Sequence, residues 1–572
     1  MAQKQKVALI SVYDKTGITD FAKSLVGLGW QIISSGGTAK HLTDAGIKVT
    51  DVAKITGMPP ILSHRVLTLH PKIHGGLLAL DTPEHKAELE QYSIPYIDLV
   101  CVDLYPLEDE INKIGSTKES VIEKTDMGGV ALLRSSAKGR RITICEVSDR
   151  EKVIEWLKNG EPDKEEFLND MAARAEIIVS RYCLLSSKYH SAGGYRGLLG
   201  EKYAECAYGE NAYQKPSFLY KNLNKKDYLK DDPLAIFNWK LIAGNPLSYN
   251  NICDVDRMIQ TITHIGAGLE KNFGSVPNIA IGVKHGNACG AGIAQGPSLR
   301  GDLRGDLDAV EKMLLGDLRA IFGGSVMLNF PVDEKIAEEL IHKFSLEGAR
   351  RLLDIVSAPS FTEEAVGILS RKKGKCRLLA NPSIEKAGLH TLDSTSRFRY
   401  VRGGFLTQPN YTFVPNLSKT VFDNNLSRTV LDSILKDLLL AWAIGSTSNS
   451  NTITIVKENR LYGNGVGQQD RVGAAKLAIF RADEAANFAK GQSRVPQGLS
   501  LGEGADLENA TAYSDSFFPF SDAPEVLISR GIKTIFSTSG SVNDEKIIEL
   551  CKQKGVNLIM LPDSETRGFY QH

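Results

Sequence analysis

Charge of one sign, paired cysteines and long apolar runs are all missing from this chain. Lys+Arg and Asp+Glu both number 68 in 572 residues, so no net field draws it to nucleic acid or an acidic membrane. The eight cysteines stand singly, with no C-x-x-C pair. That excludes a zinc ribbon and fits reduced thiols in the cytoplasm. The short apolar run of "MAQKQKVALISVYDK" breaks at Tyr13-Asp14-Lys15, so it reads as a first strand and not as a signal peptide. No later run is long enough to span a bilayer. The letters show no internal repeat. What is present, 42% hydrophobic and 24% charged residues with 52 glycines, is the composition of a globular protein. Its length exceeds what one core organises, so two to four domains are expected.

The first 150 residues alternate strand and helix. "VALISV", "WQIIS", "IDLVCVDLYP" and "RITICEV" are apolar enough to be buried strands, and "TGITDFAKSLVGLG" carries an apolar stripe at helical spacing. Such alternation predicts a parallel sheet covered by helices, with a ligand at the carboxyl ends of its strands. A helical stretch from about Asp163 to Lys202 closes this domain. Boundaries are expected near 198 and at the polar "RKKGKC", giving units 1–198, 199–370 and 371–572.

Three segments suit an anion. "SVYDKTG" brings Ser11 and Lys15 to a strand end, "SSGGTAK" brings Ser35, Gly37 and Thr38 to a helix start, and "HRVLTLHPKIHGG" brings Arg65 and Thr68. Backbone N–H groups at a helix start, hydroxyls and cations bind phosphate, whereas an ordinary tight turn is the blander account of "SSGGT". His64, His70 and His74 lack metal-ligand spacing, since Pro71 breaks any helix aligning them and H-E-x-x-H is absent. Structural histidines are the better reading. "KTDMGGVALLRSSAK" places Asp126 before a helix and Lys138 at its end, either an acid–base pair or an N-cap and a solvated lysine. "VKHGNACGAG" sets Lys284 and His285 at a strand end, either a base beside a cation or a surface pair. In "YGNGVGQQDR" Gln468 stands where a G-x-G-x-x-G loop needs its last glycine, which excludes a dinucleotide fingerprint. "SDSFFPF" suits a flat aromatic ligand, with core packing as the default.

In order and spacing, "SVYDKTG", "SSGGTAK", "RVLTLHPKIHGG", "DLYP", "TDMGGVALLRSSAK", "YGEN", "LSYNNICD", "VKHGNACG", "SNTITIVKENRLYGNGVGQQDR", "SDSFFPF" and "SGSVNDE" resemble one family from end to end. That family joins AICAR (aminoimidazole carboxamide ribonucleotide) formyltransferase to IMP cyclohydrolase in purine biosynthesis. The resemblance implies an α/β fold class: an N-terminal methylglyoxal-synthase-like, doubly wound parallel-sheet domain for the cyclohydrolase, then a transformylase of two cytidine-deaminase-like units without zinc. The H-x-E and P-C-x-x-C ligands of a zinc deaminase are absent from the sequence. It implies 10-formyltetrahydrofolate as co-substrate, no metal, the small molecules AICAR, FAICAR (formyl-AICAR) and IMP as ligands, and a cytoplasmic homodimer with transferase sites at the subunit interface. By resemblance His285 moves a proton, Lys284 is its electrostatic partner and Asn451 orients the formyl group. Tyr208, Asn251, Arg471 and Arg567 contact nucleotide, while Phe517 and Ser541 line the pocket. Tyr105, Asp126 and Lys138 match the cyclohydrolase residues, and Ser11, Lys15, Ser35, Gly37, Thr38, Arg65 and Thr68 match its nucleotide cradle.

The chain departs from the family pattern at several points. Leu67 stands for a lysine in "RVLTLHP". Ala207 and Ala212-Tyr213 stand for arginine and Pro-His in the "YG" segment, with Lys215 a candidate replacement cation, and Asp103 stands for asparagine. "TRGFYQH" ends one residue later than usual. Leu67 motivates the alternative of a transformylase with a weak cyclohydrolase, and the two alanines that of a non-catalytic nucleotide-binding homologue.

Overall fold

The structure, a computed structural model, describes residues 5–62, 65–223, 232–295, 303–345, 349–417, 427–490 and 504–571. The chain divides into two compact units, Met1–Gly200 with Asn222–Lys226 and Glu201–Lys221 with Asp227–His572.

In the first unit, five short apolar segments form β1 (Val7–Ser11), β2 (Gln31–Ser34), β3 (Val49–Asp51), β4 (Leu99–Val102) and β5 (Ile142–Ile144). They pair in the order β3-β2-β1-β4-β5, all parallel. Side chains alternate between the two faces, and each face owns a core. Ala8, Ile10, Ile32, Leu99 and Cys101 pack on one side, and Leu9, Ile33, Val100 and Val102 on the other. Burial on both faces explains why these strands read as continuous apolar runs. Of the two readings of "SSGGT", turn or helix start, the structure has the second, the head of the helix Gly36–Asp44 entered through an extended Ser35. Strand order reverses between β1 and β4, so the crevice of this doubly wound sheet opens between their carboxyl ends.

Among the described residues the second unit holds an eleven-stranded mixed sheet. Its element order occurs twice. A long helix (Tyr249–Phe273, then Arg428–Ser446) leads into a tight hairpin (Ile279–Lys284 with Asn287–Ile293, then Ile453–Lys457 with Arg460–Gly465). Three further strands follow, each after a helix. In both halves the first hairpin strand pairs antiparallel with the third strand, and the last three run parallel. The hairpins join edge to edge, with Gly292 opposite Arg460. The duplication invisible in the letters is thus plain in the topology. The strand Arg377–Ala380 pairs with Leu353–Ala358 of the first half. A boundary at 370/371 would cut it from that partner, so the seam falls beyond Ala380.

The glycines of "CGAG" and "YGNG" have a packing cause. A Cβ on Gly290 or Gly292 would run into the carbonyl oxygens of Met313 or Ala309, and one on Gly463 or Gly465 into those of Ala478 or Ala474. Each hairpin therefore lies directly against the helix that follows it.

Candidate active sites

At the crevice of the first unit, the ends of β1 and β4 are stapled by Asp103. Its carboxylate accepts the N–H groups of Tyr13 and Asp14, the latter at 3.2 Å, with Arg150 at 3.6 Å. Asparagine, with one acceptor oxygen, would hold the two N–H groups less well. Burial pushes the Asp103 carboxyl up from its ordinary value. Tyr13, Lys15, Asp103, Leu104 and Lys124 line an open cleft of about 860 Å³. Tyr105 meets Tyr13 edge to face at 5.7 Å, and the Lys124 ammonium lies 5.3 Å from the Tyr13 ring and 5.9 Å from the Tyr105 ring.

Asp126 joins this group. One oxygen accepts the Gly129 N–H at 2.7 Å, the other the Tyr105 N–H at 3.4 Å, and its own N–H donates to the Tyr182 hydroxyl at 2.6 Å. Burial raises the pKa values of Asp126 and of Tyr105. Lys138 does not join them. It is the exposed last residue of the helix Gly128–Lys138, whose ten steps span about 15 Å. Asp126 stands at the opposite end, so within this chain the helix holds the two groups apart.

The cradle residues divide by what they already do. The helix head at Gly36 has no side-chain cap from Ser35, leaving N–H groups of the kind that hold phosphate. Gly37 is open, with nothing within 4 Å of a Cβ position. Ser11 ends β1. Thr38 is engaged by the fold, donating to Val12 O at 3.0 Å and accepting from Val12 N at 3.2 Å. The Lys15 ammonium lies on the carbonyls of Val12 and Tyr13, and burial lowers its pKa. Arg65 pairs with Glu123 at the surface. Thr68 is buried, its hydroxyl 3.1 Å from a Cβ position on Gly128. Leu67 sets a methyl 3.9 Å from the Cβ position of Gly36, an apolar group at the head of that helix. His70 caps the helix Pro71–Leu78 through Nδ1, and His74 Nδ1 is 2.8 Å from Ser135 Oγ, both structural uses. His64 lies outside the described residues.

In the second unit Lys284 ends its strand, and His285 (φ 52°) and Gly286 (φ 73°) make the tight turn. Lys284 Nζ donates to Phe322 O at 2.8 Å. Both Lys284 and His285 line a cavity of about 380 Å³, shared with Asp317, Arg319, Asn464 and Arg481. The turn is braced by a residue that sequence reasoning missed. Asp254, on the helix Tyr249–Phe273, accepts the Gly286 N–H at 2.8 Å and faces Ser325 Oγ at 3.3 Å, and burial raises its pKa. The signal was a charged cluster, "CDVDR", inside an apolar helical pattern.

Asn287 Oδ1 receives the Asn449 N–H at 3.5 Å, linking the turn to the loop of Asn451. Both the N–H and the side-chain amide of Asn451 donate to Gln468 O, at 3.2 and 2.8 Å. The next residue, Thr452, accepts the Asp515 N–H at 3.3 Å. Asp515 in turn holds Arg471 in a buried ion pair, and its Oδ2 has no partner among the described residues. Arg567 lies 2.9 Å from Ser516 Oγ and from Asp563 Oδ2, and 5.5 Å above the Phe517 ring. Ser541 follows the neighbouring strand Thr534–Ser539. Arg471, Phe517, Ser541 and Arg567 thus gather at adjoining carboxyl strand ends, joined to Lys284 and His285 by the Asn287–Asn449–Thr452 contacts.

Tyr208 is half-buried near the start of the helix Tyr249–Phe273, where Asn250 donates to Glu210 O at 3.1 Å. Ala207 and Lys215 are exposed beside it. Asn251 forms a capping box with Ser248, at 3.1 and 3.2 Å, so its N–H and Oδ1 serve the helix start. Among the described residues no group of three or more His, Cys, Asp or Glu is placed to hold a metal ion, and no helix is long and apolar enough to cross a membrane.

A crevice at the switch point of a parallel sheet, and a Lys-His turn facing a cavity in a doubled mixed sheet, define a two-unit α/β enzyme with a candidate site in each unit. The chain belongs to the AICARFT/IMPCHase bienzyme family, which it matches over residues 138–481, and an MGS-like domain match covers residues 17–131. It is similar to the bifunctional purine biosynthesis protein PurH of Pediococcus pentosaceus (34% identical over 562 residues), Lysinibacillus sphaericus (35% over 562) and Oceanobacillus iheyensis (33% over 568). Each alignment covers 97% of this chain and 98% of the relative. A structure titled "Crystal structure of ForH" is 33% identical over 34% of this chain and 100% of its own, with a TM-score of 0.31.

Proposed function

We propose that this chain transfers a formyl group from 10-formyltetrahydrofolate to the amine of AICAR and then closes the FAICAR product to IMP. The reading rests above all on the turn Lys284–His285, which faces a cavity and is tied through Asn287 and Asn449 to the Asn451 loop.

The AICAR amine is a weak nucleophile, because its lone pair is delocalised into the ring and carboxamide. As its nitrogen bonds to the formyl carbon, His285 removes the amine proton and the Lys284 ammonium faces the developing oxyanion. Collapse of the tetrahedral intermediate breaks the bond to N10 of the folate, which leaves with a proton. Arg471 and Arg567 hold the nucleotide, and Phe517 gives its flat ring a face. Arg319 and Arg481 add positive charge to the cavity, suiting a co-substrate that carries carboxylates.

In the second step the carboxamide nitrogen attacks the new formyl carbon and the oxygen departs as water. The reaction is intramolecular, so holding the folded conformer supplies much of the rate. The cleft of the first unit suits it, with Asp126 as proton acceptor, Tyr105 beside it, and the Gly36 helix head with Ser35, Arg65 and Thr68 for the phosphate. The working form is a homodimer in the cytoplasm, and the eight free thiols agree with that compartment.

Purified protein given AICAR and 10-formyltetrahydrofolate should form IMP. His285→Ala should slow formylation by about 10²–10⁴-fold while still closing synthetic FAICAR. If wild-type protein forms no formylated product at high enzyme concentration, the reading fails.

A further inference from the structure

The described C-terminal segment makes a second structure around the transferase loop. Gly568 passes so close to the Tyr411 ring that a Cβ would enter it, and Tyr411 donates to Thr566 O at 3.1 Å. Beyond that point the chain pairs with the loop before Asn451. Tyr570 N donates to Ser448 O at 2.9 Å, and Ser450 N to Gln571 O at 3.1 Å.

The Tyr570 side chain lies between two guanidinium groups. Arg257 and Arg397 each stand 3.6 Å from its ring centroid, and its hydroxyl donates to Asp256. Arg257 turns its edge to the same loop. It donates to Thr447 O at 2.8 Å and to Asn449 Oδ1 at 3.2 and 3.1 Å. Asn449 meets Asn287, two residues from His285. On the loop's other side Gly467 N and Gln468 N donate to the carbonyls of Asn449 and Asn451, at 3.0 and 3.1 Å. The loop is therefore a strip held between 467–468 and 570–571, and one aromatic ring organises the second edge.

We infer that Tyr570 is a positioning residue for formyl transfer: clamped by Arg257 and Arg397, it latches the C-terminal segment onto the Asn449–Asn451 loop and sets that loop against the His285 turn. The inference rests on the transferase reading above. Tyr570 touches no group assigned to the chemistry, and it acts through Arg257 and the paired backbone. A stacked guanidinium is attracted to the ring face and holds its plane, so two of them fix the ring where a single contact would let it tilt.

The test uses the full-length enzyme with Tyr570→Ala and Tyr570→Phe, measuring formylation of AICAR and closure of synthetic FAICAR side by side. Tyr570→Ala should lower the formylation kcat by about tenfold or more, shift the KM for AICAR by less than about threefold, and leave closure unchanged. Tyr570→Phe keeps the ring between the guanidiniums and should recover most of the lost kcat. The latch is overturned if Tyr570→Ala formylates at the wild-type rate, if both activities fall in parallel, or if phenylalanine recovers nothing. Failure of wild-type protein to formylate AICAR would instead remove the transferase reading beneath it.

Discussion

Asp126 is a carboxylate the fold already uses, and the proposed cyclohydrolase chemistry would use it again. Its two oxygens hold the N–H groups of Gly129 and Tyr105, and an amide oxygen can accept in the same direction. Asparagine keeps an acceptor for only one of the two, so Asp126→Asn should fold with a modest loss of stability yet slow closure of FAICAR by about 10²-fold, as read by ultraviolet absorbance of IMP formation. Because burial raises the Asp126 pKa, its basic form is lost at a higher pH than for an ordinary carboxylate. The acid limb of the closure rate should move upward accordingly, and a limb at the ordinary aspartate value would count against Asp126 as the base. Leu67 offers the complementary test. Leu67→Lys would put an ammonium at the Gly36 helix head, where it can face a formyl oxygen, so closure should accelerate while formylation of AICAR stays at the wild-type rate.

At the scale of elements, hairpins and the helices packed on them organise the second unit. The helix Leu303–Leu314 lies over Gly290 and Gly292, and the helix Arg471–Lys490 over Gly463 and Gly465. Gly290→Ala and Gly463→Ala each place a methyl against a helix carbonyl, which should cost about 1–3 kcal/mol. Thermal melts of the two variants should both fall, and an unshifted melt for either would mean that its helix slides without cost. The same elements show where sequence reading ran short. "VALIS", "LVCV" and "ITI" were legible as buried strands because parallel strands covered on both faces are apolar throughout. "SSGGT" left two readings open because a glycine pair signals a turn and an open helix head alike. The hairpin glycines were legible only as a glycine-rich turn in "CGAG" and a failed dinucleotide motif in "YGNG", since the helix carbonyls they accommodate lie 9 to 23 residues further along the chain.

Across the second unit, the two halves share topology but have parted in chemistry. The first hairpin turn carries His285-Gly286 and is held by Asp254 through one N–H. The corresponding turn, Glu458-Asn459, is held by Asp437 through two, at 2.9 and 2.6 Å. Asp437 is buried, and its carboxyl is pushed up to about 7. A pKa raised in the folded state means stability fully present below the unfolded value of 3.8 and lost as pH rises through about 7. The loss is on the order of 4 kcal/mol at most. Asp437→Asn removes the titration, so the wild-type minus variant difference in melting temperature should fall between pH 5 and pH 8. A difference that stays level would show that Asp437 ionises without penalty. Separation of the two sites gives a further test: a mixture of His285→Ala and Asp126→Asn enzymes should make IMP by passing free FAICAR between them, at a rate neither reaches alone.

The linear order of residues determined the alternating strand–helix layout of the first unit, the strand-end location of the segments suited to an anion, and the co-linear motifs that mark the family. The first two follow from local periodicity and composition and the third from the resemblance of the motifs, and none needs knowledge of distant contacts. Tertiary structure alone decided that the second unit is a duplicated sheet, and that Asp254 and Tyr570 brace the transferase turn and loop. Those facts depend on groups from 32 to 313 residues apart in the chain meeting across the fold. Spacing in sequence carries no measure of such meetings.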